Sequence, residues 1–96
     1  MISKIYINKL EVFLKDFFIK NKEVKFFIFG SCLERKKFGD VDLGYMGKVK
    51  IRDVSELKEK LSDSTFPYFV DIVNFNKVSI SFKKNVFNNK ILWLKH

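Results

Sequence analysis

Asp40 and Asp42 flank a single valine in the run Asp40-Val41-Asp42-Leu43. On an extended chain, side chains two positions apart share a face. Both carboxylates then project one way, while Val41 and Leu43 point the other way into a core. A third aspartate, Asp71, interrupts Phe69-Val70-Asp71-Ile72-Val73, which otherwise has the composition of a buried strand. A carboxylate in such a run is costly unless it sits at an exposed end or meets a cation. Three carboxylates on neighbouring strands would form an all-oxygen site, which suits Mg²⁺ or Mn²⁺ rather than zinc. The plain alternative is that Asp40 and Asp42 are turn residues and Asp71 lies on a sheet edge.

Other chemistries are easier to set aside. A calcium loop starting at Asp40 would put Tyr45 where a glycine is needed and Ile51 where the closing glutamate belongs. Gly30-Ser31 is not followed by the Gly-Lys-Ser/Thr pattern of a phosphate-binding P-loop. Even so, Gly30-Ser31 ends an apolar run and opens a possible helix. Glycine lets a backbone come close to a phosphate, and a helix N-terminus offers free N–H groups, so Gly30 and Ser31 are candidate phosphate ligands. A tight turn capped by serine is the competing explanation. Arg35, Lys36 and Lys37 lie between the motifs and either meet phosphate or form a solvated turn. Cys32 has no base near it in sequence and reads as an inert loop residue. One cysteine excludes an internal disulfide. One cysteine with one histidine, His96, excludes a Cys/His zinc site within one chain.

These residues need a scaffold. Ile5, Leu10, Phe13, Leu14, Phe17 and Phe18 recur near helical spacing and predict a helix over Ile5–Phe18 with Ser3 as its N-cap. Val24–Phe29 predicts a strand that stops at Gly30. Leu33–Lys37 reads as a short helix, Val41–Tyr45 as a second strand, and Arg52–Leu61 as an amphipathic helix on Val54, Leu57 and Leu61. Phe69–Phe75 follows Pro67 as a third strand. Val78–Phe87 reads as a last helix, and Ile91–Leu94 as a terminal strand or helical tail. This order implies an α+β chain, a small mixed sheet covered by helices. The pattern does not set the strand order.

The chain's 96 residues fit one domain spanning 1–96, and its 47% apolar content with twelve Phe excludes disorder. No apolar run reaches the length that spans a bilayer, and the N-terminus has no cleavage site of the signal-peptide kind, so a reducing cytoplasm is the expected setting. Nineteen basic against eleven acidic residues give +8. That permits an anionic partner. However, seventeen of the nineteen are lysines spread along the chain, and Ala and Gln are absent, as in an AT-rich coding sequence. Phe66, Tyr68 and Phe69 read as core rather than as a base-stacking platform. Trp93 fits either a core or a partner interface.

Taken together, Phe29-Gly30-Ser31, then eight residues, then Asp40-Val41-Asp42-Leu43, then Val70-Asp71-Ile72-Val73 resembles the polymerase β-like nucleotidyltransferase superfamily. The segment Gly30–Gly44 is most similar to its minimal nucleotidyltransferases. It departs from the common pattern at Cys32, where many members have Arg, and at Gly39, where many have Ser. The resemblance implies a nucleotidyltransferase fold and a two-Mg²⁺ site on Asp40, Asp42 and Asp71. It also implies phosphate binding at Gly30 and Ser31, with Arg35 a weaker candidate, and ATP as substrate. Minimal members typically act with a separate helical HEPN protein, a ribonuclease toxin, and transfer AMP to one of its tyrosines. The resemblance therefore implies an antitoxin with a HEPN-type partner. A non-catalytic antitoxin that masks its toxin by binding is one alternative, and a basic nucleic-acid-binding module is another. Homodimers and hetero-oligomers are both open.

Overall fold

The computed structural model describes residues 1–95; His96, counted above against a zinc site, lies outside them. Eight elements follow one another: α1 (Lys4–Lys20), β1 (Lys25–Phe29), a three-residue 3₁₀ turn (Ser31–Leu33), β2 (Asp40–Met46), α2 (Ile51–Ser62), β3 (Phe69–Asn74), α3 (Ile80–Phe87) and β4 (Leu92–Trp93). The α+β architecture and the mixed sheet agree with the sequence reading. The strand order is β3-β2-β1-β4. β1 is antiparallel to both β2 and β4, whereas β2 and β3 run parallel. That parallel pair requires a crossover, and α2 provides it.

Strand alternation sorts the core into two clusters. Phe26, Ile28, Val41, Leu43 and Tyr45 join the buried side chains of α1 (Leu10, Leu14, Phe17, Phe18) and α2 (Val54, Leu57, Leu61) on one face of the sheet. Phe27, Phe29 and Phe75 pack with Val86 on the other, under α3. Gly44 sits on this second face because the rings of Phe27 and Phe75 occupy the space a side chain would need. Phe26 meets Phe17 and Phe18 edge-to-face at ring separations of 5.2 and 5.6 Å. Side chains buried this completely contribute roughly 1.5–3 kcal/mol each.

The loop between α1 and β1 is pinned by a buried asparagine. Asn21 donates from Nδ2 to Asp53 Oδ2 at 2.9 Å and to Phe17 O at 3.2 Å, and its Oδ1 accepts from the Lys50 N–H at 2.9 Å. This one side chain joins the end of α1 to the start of α2. Asp53, 9% exposed, is thus the acidic residue the fold encloses most.

Four expectations are corrected. The helix read over Leu33–Lys37 is the 3₁₀ turn at Ser31–Leu33, followed by irregular chain. Too few apolar residues follow Leu33 to hold a longer helix against the core. Ser3 occupies the N-cap position of α1, but it caps through its carbonyl, which accepts from Tyr6 and Ile7, and not through its hydroxyl. Phe69 is not core: β3 is a sheet edge and Phe69 is 68% exposed, while Phe66 and Tyr68 are half-buried against the first cluster. Cys32, read as an inert loop residue, lies in the 3₁₀ turn and is fully buried, its Sγ donating to Phe29 O at 3.6 Å.

Candidate active site

β2 places its residues on the two faces in strict alternation. Val41 and Leu43 are fully buried in the first cluster. Asp40 and Asp42 therefore turn to the opposite face, as the spacing predicts, with Asp40 exposed and Asp42 half-buried. The parallel register sets Asp42 directly beside Asp71 and Val41 beside Val70. Directly paired residues share a face, so Asp71 stands next to Asp42 on the side where Asp40 also projects. On the other flank, β1 ends with Phe29 opposite Asp42.

Gly30 follows Phe29 immediately. Its φ is +85°, a conformation open mainly to glycine, and a Cβ there would collide with Asp42 Oδ2. The Asp42 carboxylate thus lies against the glycine's bare α-carbon. The Gly-Ser motif and the Asp-x-Asp motif, well separated in sequence, meet at this contact. Ser31 is exposed at the start of the 3₁₀ turn. The turn is held from behind: the Ile2 N–H donates to Cys32 O at 2.7 Å, and the Met1 ammonium donates to Arg35 O. The Arg35 side chain is exposed on the loop beyond.

The electrostatics agree with this crowding. Partial burial raises the Asp42 carboxyl above its usual range, and the neighbouring charges of Asp71 and then Asp40 raise it further. Burial likewise raises the Cys32 thiol, with a smaller contribution from the Asp42 charge. This keeps the thiol protonated, as an inert core residue should be. Asp71 itself is exposed. The cost of desolvation therefore falls on Asp42 and not on Asp71. Asp71 tolerates its position because β3 is an edge strand.

The donor set fits a hard divalent cation: three carboxylates on one face, two of them on directly paired residues, their mutual repulsion felt at Asp42. The side chains do not converge as a finished cage. Among the described residues, no three His, Cys, Asp or Glu side chains are placed to hold an ion together as they stand. Rotation about Asp side-chain torsions would be needed to bring the oxygens to a common point.

Two features of the site were not read from sequence. One is the contact between Gly30 and Asp42; a glycine at the very end of an apolar strand was its only signal. The other is the aromatic wall beside Asp42, where Phe29 meets Phe75 at 5.2 Å and Phe82 packs on Phe75 at 5.6 Å. Phe82 belongs to the helical stretch read from Val78, but nothing local showed which face of the sheet it would cover.

No helix among the described residues is long and apolar enough to cross a membrane. None of the curated proteins matches the chain. The family model described as "Polymerase beta, Nucleotidyltransferase" matches residues 13–96. That span contains the Gly-Ser turn, both aspartates of β2 and Asp71 of β3, so most of the chain and every element of the site lie within one match: the chain belongs to the polymerase β nucleotidyltransferase family.

Proposed function

We propose that this protein is a metal-dependent nucleotidyltransferase that passes AMP from ATP to a hydroxyl on a partner protein. The acceptor expected from the resemblance is a tyrosine of a HEPN-type toxin, which would make the protein an antitoxin. The observation that carries the reading is the placement of Asp42 beside Asp71 and against Gly30.

Asp40, Asp42 and Asp71 would hold Mg²⁺, or Mn²⁺ in its place. Bound there, the metal supplies positive charge to the phosphates and to the attacking and leaving oxygens. The exposed hydroxyl of Ser31 would give the β- and γ-phosphates a hydrogen-bond donor, and Gly30, whose missing side chain admits the Asp42 carboxylate, would bring that turn close to the metal ligands. The acceptor hydroxyl attacks the α-phosphorus in line. Its proton passes to the Asp71 carboxylate, which is exposed to an incoming group. The new bond joins the acceptor oxygen to phosphorus. The bond from the α-phosphorus to the bridging oxygen breaks, and pyrophosphate leaves with that electron pair. The remaining catalysis is positioning.

The test is co-expression with the protein encoded by the adjacent gene, followed by intact mass measurement of that protein, with Asp42→Ala as control. A gain of whole AMP units that disappears with the variant supports transfer. A partner that stays unmodified yet co-purifies with both forms would leave masking by binding as the function. In parallel, calorimetry should detect Mg-ATP binding that Asp42→Asn abolishes.

A further inference from the structure

β3 is the outer strand of the sheet, and its free side runs past Asp71. The phase of its hydrogen bonding is set by one observed bond: the Phe75 N–H donates to Tyr45 O of β2 at 2.9 Å. Peptide groups alternate sides along a strand. Phe69, Asp71 and Val73 therefore also turn their N–H and C=O groups towards β2, and Val70, Ile72 and Asn74 turn theirs outward. The Asn74 carbonyl is taken by the Lys77 N–H at 3.2 Å. Among the described residues, nothing meets the outward groups of Val70 and Ile72. Two unpartnered peptide units thus straddle Asp71. They line a groove of about 510 Å³ that runs between β3 and the end of α2, with Lys58, Leu61 and Phe66 on its far wall.

We propose that this edge docks an extended segment of the acceptor protein as a fifth strand, and that the docked register selects the hydroxyl to be modified. This rests on the nucleotidyltransferase reading and names the acceptor class for that site. A strand hydrogen-bonded to Val70 and Ile72 lies about 4.8 Å from β3. The residue that falls opposite Asp71 shares its face and so enters the side of the sheet that carries Asp40 and Asp42. A tyrosine there presents its hydroxyl to the Asp71 carboxylate. The residues on either side of it turn to the α2 face, over Leu61 and Phe66, where apolar side chains fit. Lys58 on the groove wall and the chain's charge of +8 favour acidic residues at the ends of the segment. The backbone ladder supplies affinity, and the alternation of faces supplies specificity. In the transfer step the tyrosine oxygen bonds to the α-phosphorus, the bond to the bridging oxygen breaks, pyrophosphate departs with that electron pair, and the phenolic proton goes to Asp71.

The probe is the blocked peptide Ac-Glu-Val-Tyr-Ile-Glu-NH₂. Its counterpart is N-methylated at the three central residues, so that it cannot form the ladder in either direction. In the ¹⁵N-labelled protein without nucleotide, the first peptide should shift the amide resonances of Val70 and Ile72, and the methylated one should not. With α-labelled ATP and Mg²⁺, label should pass to the tyrosine peptide. Ile72→Pro removes one outward N–H at an edge, where proline is tolerated. It should lower labelling about tenfold, the worth of one such hydrogen bond, while Mg-ATP binding stays unchanged and the spectrum stays folded.

Absence of amide shifts overturns the docking. Shifts without label, from protein that binds Mg-ATP, overturn the acceptor assignment. Label on an oligonucleotide 3′-hydroxyl in place of the peptide does the same. A sedimenting dimer in which Val70 and Ile72 are already protected shows that a second copy covers the edge, and also overturns the docking. Loss of Asp42-dependent Mg-ATP binding sinks the nucleotidyltransferase reading, while the amide shifts still decide the docking.

Discussion

The two faces of the sheet are built from the same strands and differ in how they are finished. The face under α1 and α2 is closed: Leu10, Leu14, Phe26, Ile28, Val41 and Leu43 are all at or near zero exposure. The opposite face is only half covered. α3 seals Phe27 and Phe75, but the region around Asp40, Asp42 and Asp71 stays open to solvent. Residues 42 and 43 are neighbours in sequence and belong to different environments. A small sheet can thus keep a closed, buried support directly behind an open, charged surface. The stability of the closed face then carries the cost of crowding carboxylates on the open one.

The largest expected effect falls on the closed face. Leu43→Ala removes a fully buried side chain of the cluster to which both α1 and α2 contribute. Chemical denaturation should show a loss of about 2–5 kcal/mol. A loss well under that range would mean the first cluster collapses easily around a gap, and the contrast between faces would weaken. Asn21→Leu comes next. It leaves the half of the Asp53 carboxylate bonded to Nδ2 and the Lys50 N–H without partners in a buried site, for about 1–3 kcal/mol. The same denaturation measurement checks it, and a neutral result would show that water reaches this junction.

Gly30→Ala probes the boundary between the faces. The alanine would have to hold φ near +85° and would push the Asp42 carboxylate aside. The backbone strain alone costs on the order of 1–3 kcal/mol. Calorimetry should show a larger effect on Mg-ATP affinity than the melting temperature suggests, because the displaced group belongs to the site. Equal affinity in the variant would detach Gly30 from nucleotide binding.

The parts of this arrangement that were legible in sequence are those set by short-range pattern. The heptad-like recurrence from Leu10 to Phe18 reports α1, since a helix needs only its own apolar stripe to be recognised. Alternation across Asp40–Leu43 reports which side chains of β2 are buried. The candidate residues that the fold groups, Gly30 with Asp42 and Asp71, were equally visible, because picking them out depends on residue type and order. Strand order was not, and Asp71 shows the consequence. Phe69–Val73 has the composition of a central strand, but β3 is an edge, so Phe69 and Asp71 are exposed. Hydrophobicity says that a strand touches a core and does not say how many neighbours it has. The Asn21–Asp53 junction was hidden for a related reason. Its partners are the residue that follows α1 and a residue in the first turn of α2, far apart in sequence, and neither residue type signals burial by itself.

The smallest predicted effect is also the one that separates the faces most cleanly. Asp42 titrates above the usual carboxylate range because burial and two like charges disfavour its ionised form. The sign follows from linkage. A carboxyl whose folded pKa is raised contributes stability that is fully present below the unfolded pKa and is lost as pH rises through the folded one. Asp42→Asn keeps the shape and removes that loss. In EDTA, the variant should match the wild type near the acid end and melt above it at pH 7, the gap opening as pH passes upward through the Asp42 titration. Mg²⁺ should raise the melting temperature of the wild type and leave the variant largely unmoved, which narrows the gap. A variant that melts below the wild type at pH 7 would show Asp42 holding the fold together. The open face would then be as structural as the closed one.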